Sequence, residues 1–124
     1  MQYILIADDN EDIREVLSTY VVKEGFEPIV AEDGIEAFET FKKCNPAVVL
    51  LDIMMPKIDG FTMVRHIRKT DRQIPVLFLS ARSAANDVVE GFELGGNDYL
   101  KKPFGMAELI IRIKALLNKI SVRK

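Results

Sequence analysis

Cysteine is almost missing from this chain of 124 residues: Cys44 stands alone, so no disulfide can form within the chain. Lys42 and Lys43 beside it would lower a thiol pKa only if they lay close to it, and with no other activating group the thiol is expected to be inert. A dense stripe of Lys and Arg is missing too. The chain has 17 basic against 19 acidic residues and a net charge of −2, which is not the electrostatic footprint of a nucleic-acid binder, so any DNA contact is expected to come from elsewhere. No apolar run approaches the ~18 residues of a membrane span, and no basic leader with a small-residue cleavage site precedes YILIADD. A cytoplasmic protein without membrane contact is the expectation. The single histidine, His66, has no His, Cys or acidic residue nearby to share a metal with, so it reads as a surface side chain. Low-complexity segments and long polar linkers are also lacking.

What is present points to one α/β domain. Hydrophobic residues make up 48% of the chain, enough for a single core at this length. Tyr3 to Ala7, Ala47 to Leu51 and Pro75 to Leu79 are apolar almost throughout, as strands covered on both faces require. Glu27 to Ala31 and Asp98 to Lys101 are weaker strand candidates, each placed after glycine. Between them run stripes with apolar residues three and four apart, such as Ile13, Val16, Leu17, Tyr20 and Val21, or Leu109, Ile113, Leu116 and Leu117. Each stripe needs a sheet to cover. Asn10 or Asp12 can cap the first helix and Gly25 can end it; Asn45-Pro46 ends the second, and Gly60 opens the third. Five βα units in succession predict a doubly wound parallel sheet of five strands with five helices. The domain is expected over residues 1–119, with 120–124 as a tail or the start of a linker.

In such a sheet, ligands gather outside the carboxyl ends of the strands. Asp8 and Asp9 follow the first strand, Asp52 ends the third, Ser80 ends the fourth and Lys102 lies just past the fifth. Topology therefore brings these five residues to one edge. Taken alone, Asp8-Asp9-Asn10 reads as a helix cap; convergence with Asp52 changes that reading. Crowded carboxylates repel and persist only if a cation or hydrogen bonds neutralise them. Without His or Cys in the group, zinc and copper are disfavoured and Mg²⁺ is favoured, with Asp9 and Asp52 as direct ligands, Asp8 acting through water and the Met54 backbone carbonyl completing the protein's share. Asp52, aimed by a rigid strand end, is placed to attack phosphorus, while Lys102 and Ser80 suit phosphoryl oxygens.

The motifs ILIADDN, LLDIMMPKIDG, LFLSAR and GGNDYLKKPFGMAEL, in this order and spacing, resemble the receiver domain of bacterial two-component response regulators, most of all the receivers of winged-helix DNA-binding regulators. The likeness runs over essentially the whole chain. It implies a flavodoxin-like sheet of strand order 2-1-3-4-5. It implies that Asp52 accepts a phosphoryl group from a sensor histidine kinase, that Asp8, Asp9, Asp52 and the Met54 carbonyl bind Mg²⁺, and that Lys102 contacts the phosphoryl group. Ser80 and Tyr99 become the switch pair, and Pro103 follows a cis peptide bond. The activity implied is a signalling switch that catalyses only its own phosphorylation and dephosphorylation. Its output is expected to be transcription, through an attached or partner DNA-binding domain outside this chain.

Two positions tune phosphate lifetime in this family, Met54 and Arg82. An apolar Met54 offers no group to orient an attacking water, and slow self-dephosphorylation is the expectation. Winged-helix regulators commonly carry GADDYL and a basic residue on the preceding helix. Here Asn97 with Asp87, Glu90 and Glu93 weakens that dimer face, while Arg112 and Asp98 remain available, so a monomer or a weak phosphorylation-dependent dimer is expected. Two other classes stay in view. An aspartyl phosphohydrolase needs a second acid near the nucleophile and a cap, for which Ile53 and Met54 leave no insertion; a flavin carrier needs a glycine-rich first loop, where this chain has ADDNED.

Overall fold

The computed structural model describes residues 2–81 and 84–122, with side chains as far as Asn118. Strand and helix alternate as β1 (Tyr3–Ala7), α1 (Glu11–Lys23), β2 (Glu27–Ala31), α2 (Gly34–Cys44), β3 (Val48–Asp52), α3 (Gly60–Thr70), β4 (Val76–Ser80), α4 (Ala85–Glu93), β5 (Asp98–Lys101) and α5 (Met106–Val122). All pairings are parallel and the strand order is β2-β1-β3-β4-β5, the flavodoxin-like arrangement that the receiver-domain resemblance implied. β3 and β4 each start one residue later than their apolar runs and end on a polar residue, Asp52 and Ser80.

Every residue of β3 and β4 is buried, as is all of β1 after Tyr3, because helices cover both faces. Alternation along the strands sorts the side chains into two cores. Leu5, Ala7, Val49, Leu51, Val76 and Phe78 lie under α2 and α3 with Phe41, Phe61, Met63 and Ile67. Ile4, Ile6, Val48, Leu50, Leu77 and Leu79 face Leu17 and Val21 of α1 and Leu109, Ile113 and Leu116 of α5. At about 1.5–3 kcal/mol for each large apolar side chain buried, these central strands anchor the sheet from which the site projects.

The α1 stripe is only partly used. Leu17 and Val21 are buried, but Val16 is 45% and Tyr20 38% exposed. One residue per turn suffices to seat α1 on this edge of the sheet; Val16 instead borders an open groove of about 530 Å³, shared with Ile13, Pro103, Phe104 and Met106.

Helix ends follow the residues that cap them. Asn10, rather than Asp12, caps α1 by accepting from the Ile13 N–H, and Asp33 and Asp59 do the same for α2 and α3. Gly25, at φ +90°, donates to the Val22 carbonyl while Phe26 donates to that of Val21, the paired bonds that close a helix through a left-handed residue. Gly60 is required for a different reason: a Cβ there would come within 2.5 Å of the Asp52 carbonyl oxygen and 2.7 Å of the Ile53 Cα. α3 therefore starts in direct backbone contact with the end of β3.

Candidate functional site

Since β1 and β3 are parallel neighbours in register, with Ala7 opposite Leu51, their carboxyl ends coincide and Asp8 emerges beside Asp52. Carboxylate oxygens of Asp8, Asp9 and Asp52 all lie within 4.8 Å of one another. Asp8 and Asp52 are buried, whereas Asp9 is exposed. β5 delivers Lys102, whose N–H donates to the Ser80 carbonyl at 2.8 Å. Its ammonium donates to Asp8 Oδ2 at 2.7 Å and to Asp52 Oδ2 at 3.4 Å.

All four polar atoms of Asp8 are engaged. The carboxylate accepts from the Asn10 N–H at 2.9 Å and from Lys102, its N–H donates to the Ala31 carbonyl at 3.1 Å, and its carbonyl accepts from Arg14 Nη1 at 2.8 Å. Asp52 is less well supported, with the Met54 N–H at 3.1 Å and the longer Lys102 contact. Burial and then the neighbouring Asp8 charge push the Asp52 carboxyl above its ordinary value, with Lys102 opposing. Burial acts to lower the Lys102 ammonium, but the Asp8 hydrogen bond and the charges of Asp52 and Asp8 outweigh it, so it is held above the usual lysine range. Lys102 is a secure cation here. The donor set is all oxygen, partly buried and crowded with like charge, and it fits a hard divalent cation such as Mg²⁺.

The other expected residues lie around this cluster. Ser80 is fully buried at the end of β4. Tyr99 is half-buried, its ring 5.9 Å from that of Phe78, and a Cβ added at Gly91 on α4 would come within 3.4 Å of it. The Lys102–Pro103 peptide bond is cis. The Met54 side chain is 59% exposed beside Asp52. Arg82 lies outside the described residues. His66 is half-buried rather than free at the surface, its ring 5.5 Å from that of Phe38, and among the described residues the Asp8-Asp9-Asp52 cluster is the one group suited to a metal.

Sequence reasoning passed over three relationships. Asn97 works inside the chain, its Oδ1 accepting from the Val76 N–H at 2.9 Å and from Arg68 Nη2 at 3.0 Å, while Arg68 also donates to the Gly95 carbonyl at 2.6 and 3.0 Å. Arg112 and Asp98, read as available to a second copy, pair with each other at 2.7 Å, with Glu108 as a further partner of Arg112 at 3.1 Å. Arg14 reaches the Asp8 carbonyl from the first turn of α1. A cation there runs against the helix dipole, and that oddity was the available signal.

The model of the response regulator receiver domain matches residues 4–114. Over 121 residues the chain is 37% identical to the transcriptional regulatory protein RprY of Bacteroides fragilis, covering 98% of this chain and 51% of RprY. It is 43% identical over 116 residues to the transcriptional regulatory protein PrrA of Mycobacterium tuberculosis, covering 94% of this chain and 50% of PrrA. The chain thus spans about half the length of these relatives. Among solved structures, the receiver domain of the Francisella response regulator 1452 superposes with a TM-score of 0.91 at 36% identity, covering 97% of this chain and 99% of that one. Fold, edge cluster and sequence match agree, and the chain belongs to the response regulator receiver domain family, whose role is to accept a phosphoryl group from a kinase.

Proposed function

We propose that Asp52 is the phosphoryl acceptor of this domain and that a sensor histidine kinase is the donor. The observation that carries this reading is the meeting of three carboxylates within 4.8 Å, with the Lys102 ammonium bonded to two of them, at the ends of three different strands. An Asp52 carboxylate oxygen attacks phosphorus as the bond to the phosphohistidine nitrogen breaks, and the electron pair of that bond leaves on the imidazole. Lys102 meets the charge on the transferred oxygens, and the Ser80 hydroxyl donates to another of them. Mg²⁺, held by Asp8, Asp9, Asp52 and the Met54 carbonyl, supplies charge neutralisation on the phosphoryl oxygens when bound.

Burial of Asp52 supports the role, since a desolvated carboxylate beside a like charge gains when its charge is drawn into a new bond. Ser80 and Tyr99 are the switch pair: movement of the Ser80 hydroxyl toward the phosphate opens space on the same sheet face for the Tyr99 ring, which biases a two-state equilibrium. The chemistry is confined to the domain's own phosphorylation and dephosphorylation in the cytoplasm. Output passes to a C-terminal DNA-binding domain outside this chain, a reading supported by the length of RprY and PrrA beyond the matched half. The Asp98–Arg112 pair within the chain supports a monomer or, at most, a weak phosphorylation-dependent dimer.

Incubation with acetyl phosphate and Mg²⁺ followed by intact-mass measurement tests the acceptor. Wild type gains one phosphate and Asp52→Asn gains none; a wild type that stays unlabelled, or a variant that is labelled, overturns the assignment.

A further inference from the structure

We propose that Arg14 is a positioning residue that sets the geometry of the Asp8-Asp9 carboxylate pair through the peptide joining them, an inference that rests on the reading of this pair as the Mg²⁺ site. Asp8 and Asp9 differ in how they are held. Asp8 is buried and its carboxylate is fixed by Asn10 and Lys102, whereas Asp9 is exposed and its side chain has no partner among the described residues. The direction in which the Asp9 side chain leaves the backbone is therefore set by the Asp8–Asp9 peptide plane, with no side-chain partner to correct it. The single bond to that peptide among the described residues is from Arg14 Nη1 to the Asp8 carbonyl, at 2.8 Å.

Neither helix stability nor ion pairing accounts for an arginine at this position. It sits in the first turn of α1, its N–H bonded to the carbonyl of the capping Asn10, where the helix dipole disfavours a cation. Its ion pair with Glu32 is long, 3.9 Å, to a carboxylate whose side chain is 65% exposed, and such pairs contribute little. Yet the Arg14 side chain is only 15% exposed. The short contact of the guanidinium is the one to the Asp8 carbonyl in the loop after β1, with Glu32 of the loop after β2 only a distant neighbour. Partners that orient metal-binding groups in this way commonly change metal affinity by roughly 10–100-fold.

The test is thermal unfolding of wild type, Arg14→Ala, Arg14→Lys and Asp9→Asn in EDTA and across a MgCl₂ series, with Kd taken from the ligand-dependent rise in Tm. Arg14→Ala is expected to weaken Mg²⁺ binding about tenfold. Arg14→Lys keeps the charge without the fork and is expected to recover less than half of that loss in logarithmic terms; if Arg14→Ala does not fold, a Kd for Arg14→Lys about threefold above wild type carries the proposal. A lower Tm in EDTA with a Mg²⁺ Kd equal to that of wild type is what a merely structural arginine would give, and it overturns the positioning role. Full recovery by Arg14→Lys, or an Arg14→Lys Kd equal to wild type, assigns the effect to charge or to nothing and overturns it too. If wild type responds to Mg²⁺, Asp9→Asn does not and Arg14→Ala matches wild type, the positioning role fails alone. A wild type without any Mg²⁺ response removes the metal-site reading and this inference together.

Discussion

Lys102 Nζ lies closer to Asp8 than to Asp52, 2.7 Å against 3.4 Å, so its stronger bond goes to the residue that is not the proposed acceptor. A phosphoryl oxygen on Asp52 has to compete with Asp8 for the same ammonium. In the proposed mechanism Lys102 would serve the resting fold and the transfer step in turn. Replacing it leaves the buried Asp8 carboxylate without its cation, and we expect Lys102→Ala to destabilise the fold by about 2–3 kcal/mol in urea unfolding at pH 7 in EDTA. A variant as stable as wild type would show that Asp8 does not depend on this partner.

Asp52 gives the opposite sign. Its carboxyl is raised above 3.8 by burial and then by Asp8, so the native state binds the proton more tightly than the unfolded chain. Stability attributable to this group is greatest below the ordinary value and falls as pH rises through the interval up to the raised native value. Asp52→Asn removes the buried charge and is expected to stabilise the domain at pH 7 in EDTA. It should also flatten the loss of stability between pH 3.8 and neutrality. Urea titrations of both proteins across that range check it, and a less stable Asn variant at pH 7 would contradict it.

Gly60 has no room for a side chain, because the atoms in the way belong to the backbone of Asp52 and Ile53. Gly60→Ala is expected to lower stability by about 2 kcal/mol despite the better helix propensity of alanine, and to slow labelling of Asp52 by acetyl phosphate as the end of β3 shifts. Labelling at the wild-type rate would show that the β3 end tolerates the shift.

Met54, exposed beside Asp52, offers the phosphoryl group no hydrogen-bonding side chain. Met54→Asn supplies one that can orient water, and the aspartyl-phosphate half-life is expected to shorten. A half-life that is unchanged or longer in the variant counts against this account.

How much of this was legible in the residues varies with the distance over which the deciding interaction acts. Strand and helix order is local: the continuous apolar runs, Asn10, Gly25 and Gly60 mark elements whose boundaries the structure moves by a single residue at β3 and β4. Topology then carries Asp8, Asp9, Asp52 and Lys102 to one edge, because parallel strands joined by right-handed crossovers end on the same side. Val16 and Tyr20 fit the core stripe of α1 by their spacing yet stay exposed, since a helical period marks an apolar face and not the width of that face the sheet will cover.

The sequence by itself determined which groups meet at the sheet edge: three carboxylates, a lysine and a hydroxyl at strand ends. The tertiary structure alone decided how they share their bonds. Asp8 takes the short contact with Lys102, Arg14 holds the peptide between Asp8 and Asp9, and Asn97 and Arg112 find partners within the chain. Such choices depend on side-chain rotamers, burial and differences of under an ångström in contact distance between segments far apart in sequence, where neither period nor composition carries information.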